Sequence, residues 1–237
     1  MKHKLSYFLV ALCVLLAGIN IYLLLDEEKN NSSEAISHDT ELVQQDMDEE
    51  KSIGHHSSGI TIKAVDLGLS VYWANCNLGA ESPEAYGSFF RWGETDGVAE
   101  SEHEDWDAYK YCDGKESCAS YNLGANISRT NYDVAYLETH GEWRMPTADE
   151  IEELLHSCNC TWGRYRGTEG IWVGSPNGNT IFLPRVGKHK EVQYWSSTQN
   201  PNKNEEAYSL GGDSGKAPTI QSVDRCYTLH IRPVKDK

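Results

Sequence analysis

Basic residues are scarce in this 237-residue chain: 21 Lys and Arg stand against 36 Asp and Glu, a formal net charge of −15. No basic patch with interleaved aromatics occurs, so a phosphate backbone finds no electrostatic footprint and nucleic acid is not an expected partner. Familiar catalytic motifs are missing as well. There is no Gly-x-Ser-x-Gly elbow, no His-Glu-x-x-His and no Gly-rich phosphate loop. No period of 20–50 residues repeats, which excludes solenoids and propellers. Zinc needs four convergent ligands at characteristic spacings, and Cys158-x-Cys160, His156 and the isolated pair His55-His56 do not supply them. The alternating carboxylates of an EF-hand are absent too.

What is present begins with an apolar run. Leu5–Leu25 holds no charge, follows Lys2 and Lys4, and precedes Asp26, Glu27 and Glu28. As a helix at ~1.5 Å per residue it spans ~31 Å, the thickness of a hydrocarbon core. The cationic flank orients the N-terminus toward the cytoplasm and everything from Asp26 onward outside. A cleaved signal peptide would place a small residue where Leu15-Leu16-Ala17 has Leu, and Leu12 is bulky for lipidation of Cys13. Residues 26–59 follow, rich in Glu, Asp, Ser, Asn and Gln. Within 26–51, ten acidic residues face only Lys29 and Lys51. Such a stretch buries too little surface to offset the entropy of ordering and reads as an extended acidic tether. The expected organisation is therefore a signal-anchor helix over 1–25, a disordered tether over 26–59 and one globular domain over 60–237.

Within that domain, Ile60, Ile62 and Ala64 alternate with polar neighbours as a half-buried strand requires. Further short strands are predicted over Val71–Cys76, Tyr86–Trp92, Gly170–Val173, Thr180–Leu183, Gln193–Ser197, Ala207–Leu210, Thr219–Val223 and Tyr227–Arg232. Asn177-Gly178 between two of these runs marks a hairpin turn. Thr147-Ala148-Asp149-Glu150 fits a capping box, and Ile151, Leu154, Leu155 and Cys158 line one face of the helix it opens. A second helix is expected near Asn131, running through Leu137. Few helices, short strands and long loops make an α+β class. Six cysteines lie beyond the anchor, and in an oxidising compartment they invite disulfides, Cys112 with Cys118 being the easiest pair.

The runs Ala64–Ala74, Cys76–Ala80, Tyr86-Gly87 and Arg91–Glu94, then Gly141–Thr147, Gly178-Asn179 to Pro184, Tyr194–Thr198 and Ile231–Val234, resemble in order the Fibrobacter succinogenes major paralogous domain of Bacteroides-type bacteria. The resemblance covers residues 63–235. It implies a relative of the C-type-lectin-like fold, shared with the C-terminal domain of collagen-like bacterial adhesins and with formylglycine-generating enzymes, and no established activity. It also implies that the terminal strands pair with each other. Trp73, Trp92, Trp143 and Trp195 are expected to be structural. The Glu-Pro-Asn triplet of calcium-dependent sugar-binding lectins is replaced by Ser175-Pro176-Asn177, and the closely spaced cysteines of formylglycine-generating enzymes are represented by Cys226 alone. No cofactor is required, although Asp105 and Asp107 in the acidic loop are hard-oxygen candidates for calcium. Trp106, Tyr109 and Tyr111 are the candidates for stacking on a sugar or peptide. The expected role is a membrane-anchored binding or adhesion module for a glycan or protein ligand at the cell envelope; the alternative is an enzyme or maturation factor of the formylglycine-generating type.

Overall fold

The computed structural model describes residues 62–98, 107–113, 121–185, 191–213 and 215–237, all within the compact unit Gly59–Lys237. The proposed anchor and tether lie outside the described residues, and among those described no helix is long and apolar enough to cross a membrane. The architecture is mostly antiparallel β with few helices. Strands β1 (Ala64–Val65) and β2 (Val71–Ala74) precede helices α1 (Val134–Glu138) and α2 (Ala148–Ser157). The strands β3 (Asn159–Tyr165), β4 (Thr168–Gly174), β5 (Thr180–Pro184), β6 (Glu191–Gln199), β7 (Glu206–Asp213), β8 (Thr219–Asp224) and β9 (Val234–Asp236) follow. They form three three-stranded sheets in the orders β1-β2-β9, β3-β4-β5 and β6-β7-β8.

The β6–β7 pair lies between two hydrophobic cores and contributes to both. Side chains alternate across a strand, so Val192 and Tyr194 enter one core while Trp195 enters the other; Leu210 and Ala207 divide in the same way on β7. The first core gathers Leu67, Trp73, Ile151, Leu154, Ile171 and Val173 from the surrounding sheets and α2. The second gathers Phe90, Trp92, Ile127, Val134, Met145 and Ile231, largely from irregular segments. All four tryptophans expected to be structural are buried. Two of them also stitch loops to β6: Trp92 Nε1 donates to Ser196 O at 2.9 Å and Trp195 Nε1 to Phe90 O at 2.7 Å.

Local chemistry explains the helices. Thr147 accepts the Glu150 amide at 3.2 Å while Glu150 Oε2 accepts the Thr147 amide at 2.8 Å, the reciprocal capping box that starts α2. Arg144 holds the same carboxylate at 2.9 and 2.6 Å and reaches Asp236, the last residue of β9, at 2.8 Å. Helix α1 begins later than expected from Asn131, because buried Asp133 is its cap and accepts the Tyr136 amide at 3.1 Å. The β4–β5 hairpin turns at Gly178, whose φ of +91° suits glycine. Asn177 and Asn179 each donate to Asp66 O at 2.8 Å, so the segment compared above with the lectin triplet clamps a loop.

Three expectations are corrected. Tyr86–Trp92 and Tyr227–Arg232 are not regular strands but extended segments joined by the single bridges Phe89–Val98, Phe90–Leu229 and Tyr194–His230. The terminal strands do not pair with each other: β1 and β9 flank β2 on opposite sides, in the registers Val65↔Trp73 and Trp73↔Val234. Strand β3 has no counterpart among the expected strands; it follows α2 directly, with Cys158 as the helix cap.

Arg232 locks this closure. It is 1% exposed. It donates to Asn77 Oδ1 at 2.9 and 2.7 Å, Ala74 O at 3.1 Å and Phe182 O at 2.8 Å. Arg232→Met should therefore strand three buried acceptors and destabilise by roughly 3 kcal/mol or more. Leu154→Ala should cost about 2–5 kcal/mol through its cavity and Thr147→Ala about 1 kcal/mol through its cap. Urea unfolding of the three variants checks this ranking, and an Arg232→Met protein as stable as wild type would contradict it.

Candidate functional site

The aromatic residues singled out above fall into different environments. Trp106 and Asp105 lie outside the described residues, as does Cys118, so neither the Cys112–Cys118 pair nor a calcium site at Asp105 and Asp107 is placed; Asp107 is exposed. Tyr109 is corrected as a ligand platform: it is 3% exposed, and its hydroxyl donates to Trp92 O at 2.8 Å. Tyr111 is half-buried, with its ring edge-on to Tyr109, Tyr121 and Tyr132 at 5.8, 6.1 and 5.5 Å. Its partner Tyr121 is exposed. Arg225, fully buried over the rings of Trp92 and Tyr109, fixes the backbone here by donating to Tyr111 O and Tyr121 O, both at 3.3 Å. The tyrosine cluster thus presents Tyr121 rather than Tyr109 to solvent.

Immediately after Tyr121 the chain forms one wall of an open cleft of about 590 Å³, lined by Asn122, Ala125, Gln199, Asn200, Pro201, Asn202 and Asn204. Five of the seven are side-chain amides and none is charged. Strand β6 positions both walls: Ile127 N donates to Ser197 O and Gln199 N to Ala125 O, fixing the 121–127 segment alongside the strand. The opposite wall is the β6–β7 turn. Asn200 is its keystone, accepting the Asn202 amide at 2.9 Å and donating to Glu206 at 3.2 Å and Ser222 at 2.8 Å. Burial opposes ionisation of Glu206, but hydrogen bonds from Lys203, Ser222 and Asn200 prevail and hold its carboxyl below the usual range.

Sequence reasoning missed this cleft. The signal was there: Gln199-Asn200-Pro201-Asn202-Lys203-Asn204 joins two expected strands and is dense in amides. Its partner wall, some 75 positions earlier in the chain, has no such signature. Among the described residues no group of three or more His, Cys, Asp or Glu is placed to hold a metal.

A second cluster is sealed. His230 is fully buried against Phe89, Tyr194 and Tyr86, with ring centroids 4.2, 5.4 and 6.2 Å away. Neither ring nitrogen reaches a partner in good hydrogen-bonding geometry. Burial pushes its pKa down to about 3, the nearby Ser88 backbone counteracting and the Arg232 charge adding to the depression. Burial likewise pushes the Tyr194 hydroxyl up to about 12 and the Cys160 thiol up to about 11, so none of these groups is poised for proton transfer or nucleophilic attack near neutrality.

No family model matches the chain, and no curated protein or solved structure does either.

The sign of the His230 effect is definite. The unfolded chain binds a proton near the ordinary 6.5 and the folded chain only near 3, so this contribution is fully present above pH 6.5 and is lost as pH falls toward 3. The loss approaches roughly 1.4 kcal/mol per pH unit within that window. Urea midpoints measured from pH 7 to pH 5 should fall for wild type and flatten in His230→Phe; equal slopes in both would contradict a neutral buried imidazole.

Proposed function

We propose that this chain is a non-catalytic binding module of the cell envelope, held on the extracytoplasmic side of the membrane by its N-terminal helix. Its globular part is read as a C-type-lectin-like domain related to the Fibrobacter succinogenes major paralogous domain. Support for the fold comes from the motif order and from the antiparallel, helix-poor architecture; support for the anchor comes from the uncharged Leu5–Leu25 run and its flanking charges. One observation carries the functional reading: the open, preformed concavity is built on loops at the end of β6 and lined by neutral amides, whereas His230, Tyr194 and Cys160 are set aside from chemistry by burial. A few convergent polar groups in a concave site suit recognition.

Two measurements test this. The full-length protein should resist alkaline carbonate extraction, and protease added outside the inner membrane should remove its domain. Reconstituted in nanodiscs, it should bind isolated cell-envelope material saturably and leave that material chemically unchanged by mass spectrometry. A mature N-terminus near Gly18 would contradict the anchor, and altered envelope material would favour the enzymatic alternative.

A further inference from the structure

We propose that the amide-lined cleft between the 121–127 segment and the β6–β7 turn binds a neutral saccharide, without calcium. This rests on the binding-module reading above and names its site and ligand class.

The donor set decides the chemistry. Asn122 Oδ1 is committed to the Gly124 amide at 2.9 Å, and Gln199 Nε2 to Asn204 O at 3.2 Å and to the Asn204 side chain. Among the described residues no protein group takes Asn122 Nδ2, Gln199 Oε1 or either end of the Asn202 side chain amide. The cleft therefore presents both donors and acceptors: the Asn122 and Gln199 amides are each held at one end by a local hydrogen bond, and Asn202, exposed, is held through its backbone amide. Sugar hydroxyls donate and accept in the same way and carry no charge.

Competing ligand classes fit less well. An anionic or cationic ligand would meet no lining charge, and Lys203, the nearest cation in the turn, is ion-paired with Glu206. A peptide anchored by apolar side chains would find only Ala125 and Pro201. Calcium would find no lining carboxylate. Next to Asn122 in the chain, Tyr121 leaves 36% of its surface exposed and is propped edge-on by Tyr111, a rigid ring able to cover the apolar face of a pyranose.

The test uses the full chain in nanodiscs on an array carrying neutral hexose and N-acetylhexosamine oligomers, sialylated and sulfated oligomers, and peptides, with and without EDTA. Neutral oligomers should bind equally in both conditions. Asn202→Ala and Tyr121→Ser should each weaken that binding about tenfold, the value of one hydrogen bond to a preformed site or one stacking contact. Thermal unfolding of Asn202→Ala should stay at the wild-type midpoint, and that of Tyr121→Ser should remain cooperative and fall only by the loss of its edge contact with Tyr111, because neither side chain holds the fold through a hydrogen bond. Binding confined to charged oligomers or peptides, binding abolished by EDTA, or binding undiminished in both variants would overturn the proposal. Any of these leaves the binding-module reading standing. Absence of saccharide binding alongside saturable binding to envelope material overturns the saccharide class alone, and failure of both overturns both.

Discussion

A buried guanidinium with no carboxylate beside it among the described residues holds the rest of the domain together. Arg232 is charged inside a medium where an isolated charge is costly, and desolvation lowers its pKa. The fold meets that cost with dipoles: the Asn77 side chain accepts two of its hydrogen bonds, and the Ala74 and Phe182 carbonyls one each. Those acceptors belong to the end of β2, the loop after it, and β5. A planar, multiply donating fork satisfies this geometry, whereas a lysine would not. Asn77 is itself held, donating to Tyr86 O at 2.9 Å, so the loop from Asn77 to Ser88 is fixed by the same network. Gly87 closes that loop, with a φ of +69° and a Cβ position only 2.3 Å from Leu78 O, a contact that no other residue could make.

From this lock the position of the cleft follows. Burying β6–β7 on both faces requires elements on each side, and several of those elements are irregular segments joined by one or two bridges. Their backbone groups still need partners. The Trp92 and Trp195 indoles, the Arg225 guanidinium and the bridging amides of Ile127 and Gln199 reach backbone carbonyls across these junctions. What is left at the end of the doubly buried strand is its turn, held by Asn200 and Glu206 and facing a loop paired to the same strand. Rigid support and accessible polar groups thus coincide at one place.

The regular parts were legible in the sequence because their signals are local. The capping box at Thr147, the Asn177-Gly178 turn and the alternation within β6 and β7 all lie within a few residues. The expected pairing of terminal strands was not realised, because β2 can satisfy neighbours on both edges and both ends use it. Strand β3 was masked by Asn159, Gly163 and Arg164, which give little β signal; its pairing with β4 from Asn159↔Gly174 to Tyr165↔Thr168 supplies what its composition does not. Tyr109 reads in sequence as an exposed aromatic in an acidic loop, yet its ring is buried beside Cys226 and Arg225 with its hydroxyl donating to Trp92 O. The cleft was illegible for a different reason: its walls are distant in sequence and are brought together by the Asn126–Thr198 bridge and its flanking hydrogen bonds.

The closing run through Arg232, the doubly buried strand and the walls of the cleft form one cooperative unit. Native-state hydrogen exchange of the full-length protein addresses it directly, read at the amides of Trp73, Leu78, Ile127, Trp195, Gln199 and Val234. All six should exchange only through global unfolding, with a common free energy and a common denaturant dependence. Free exchange at Ile127 and Gln199 while Trp73 and Val234 stay protected would show the cleft to be a loosely attached surface feature outside that unit.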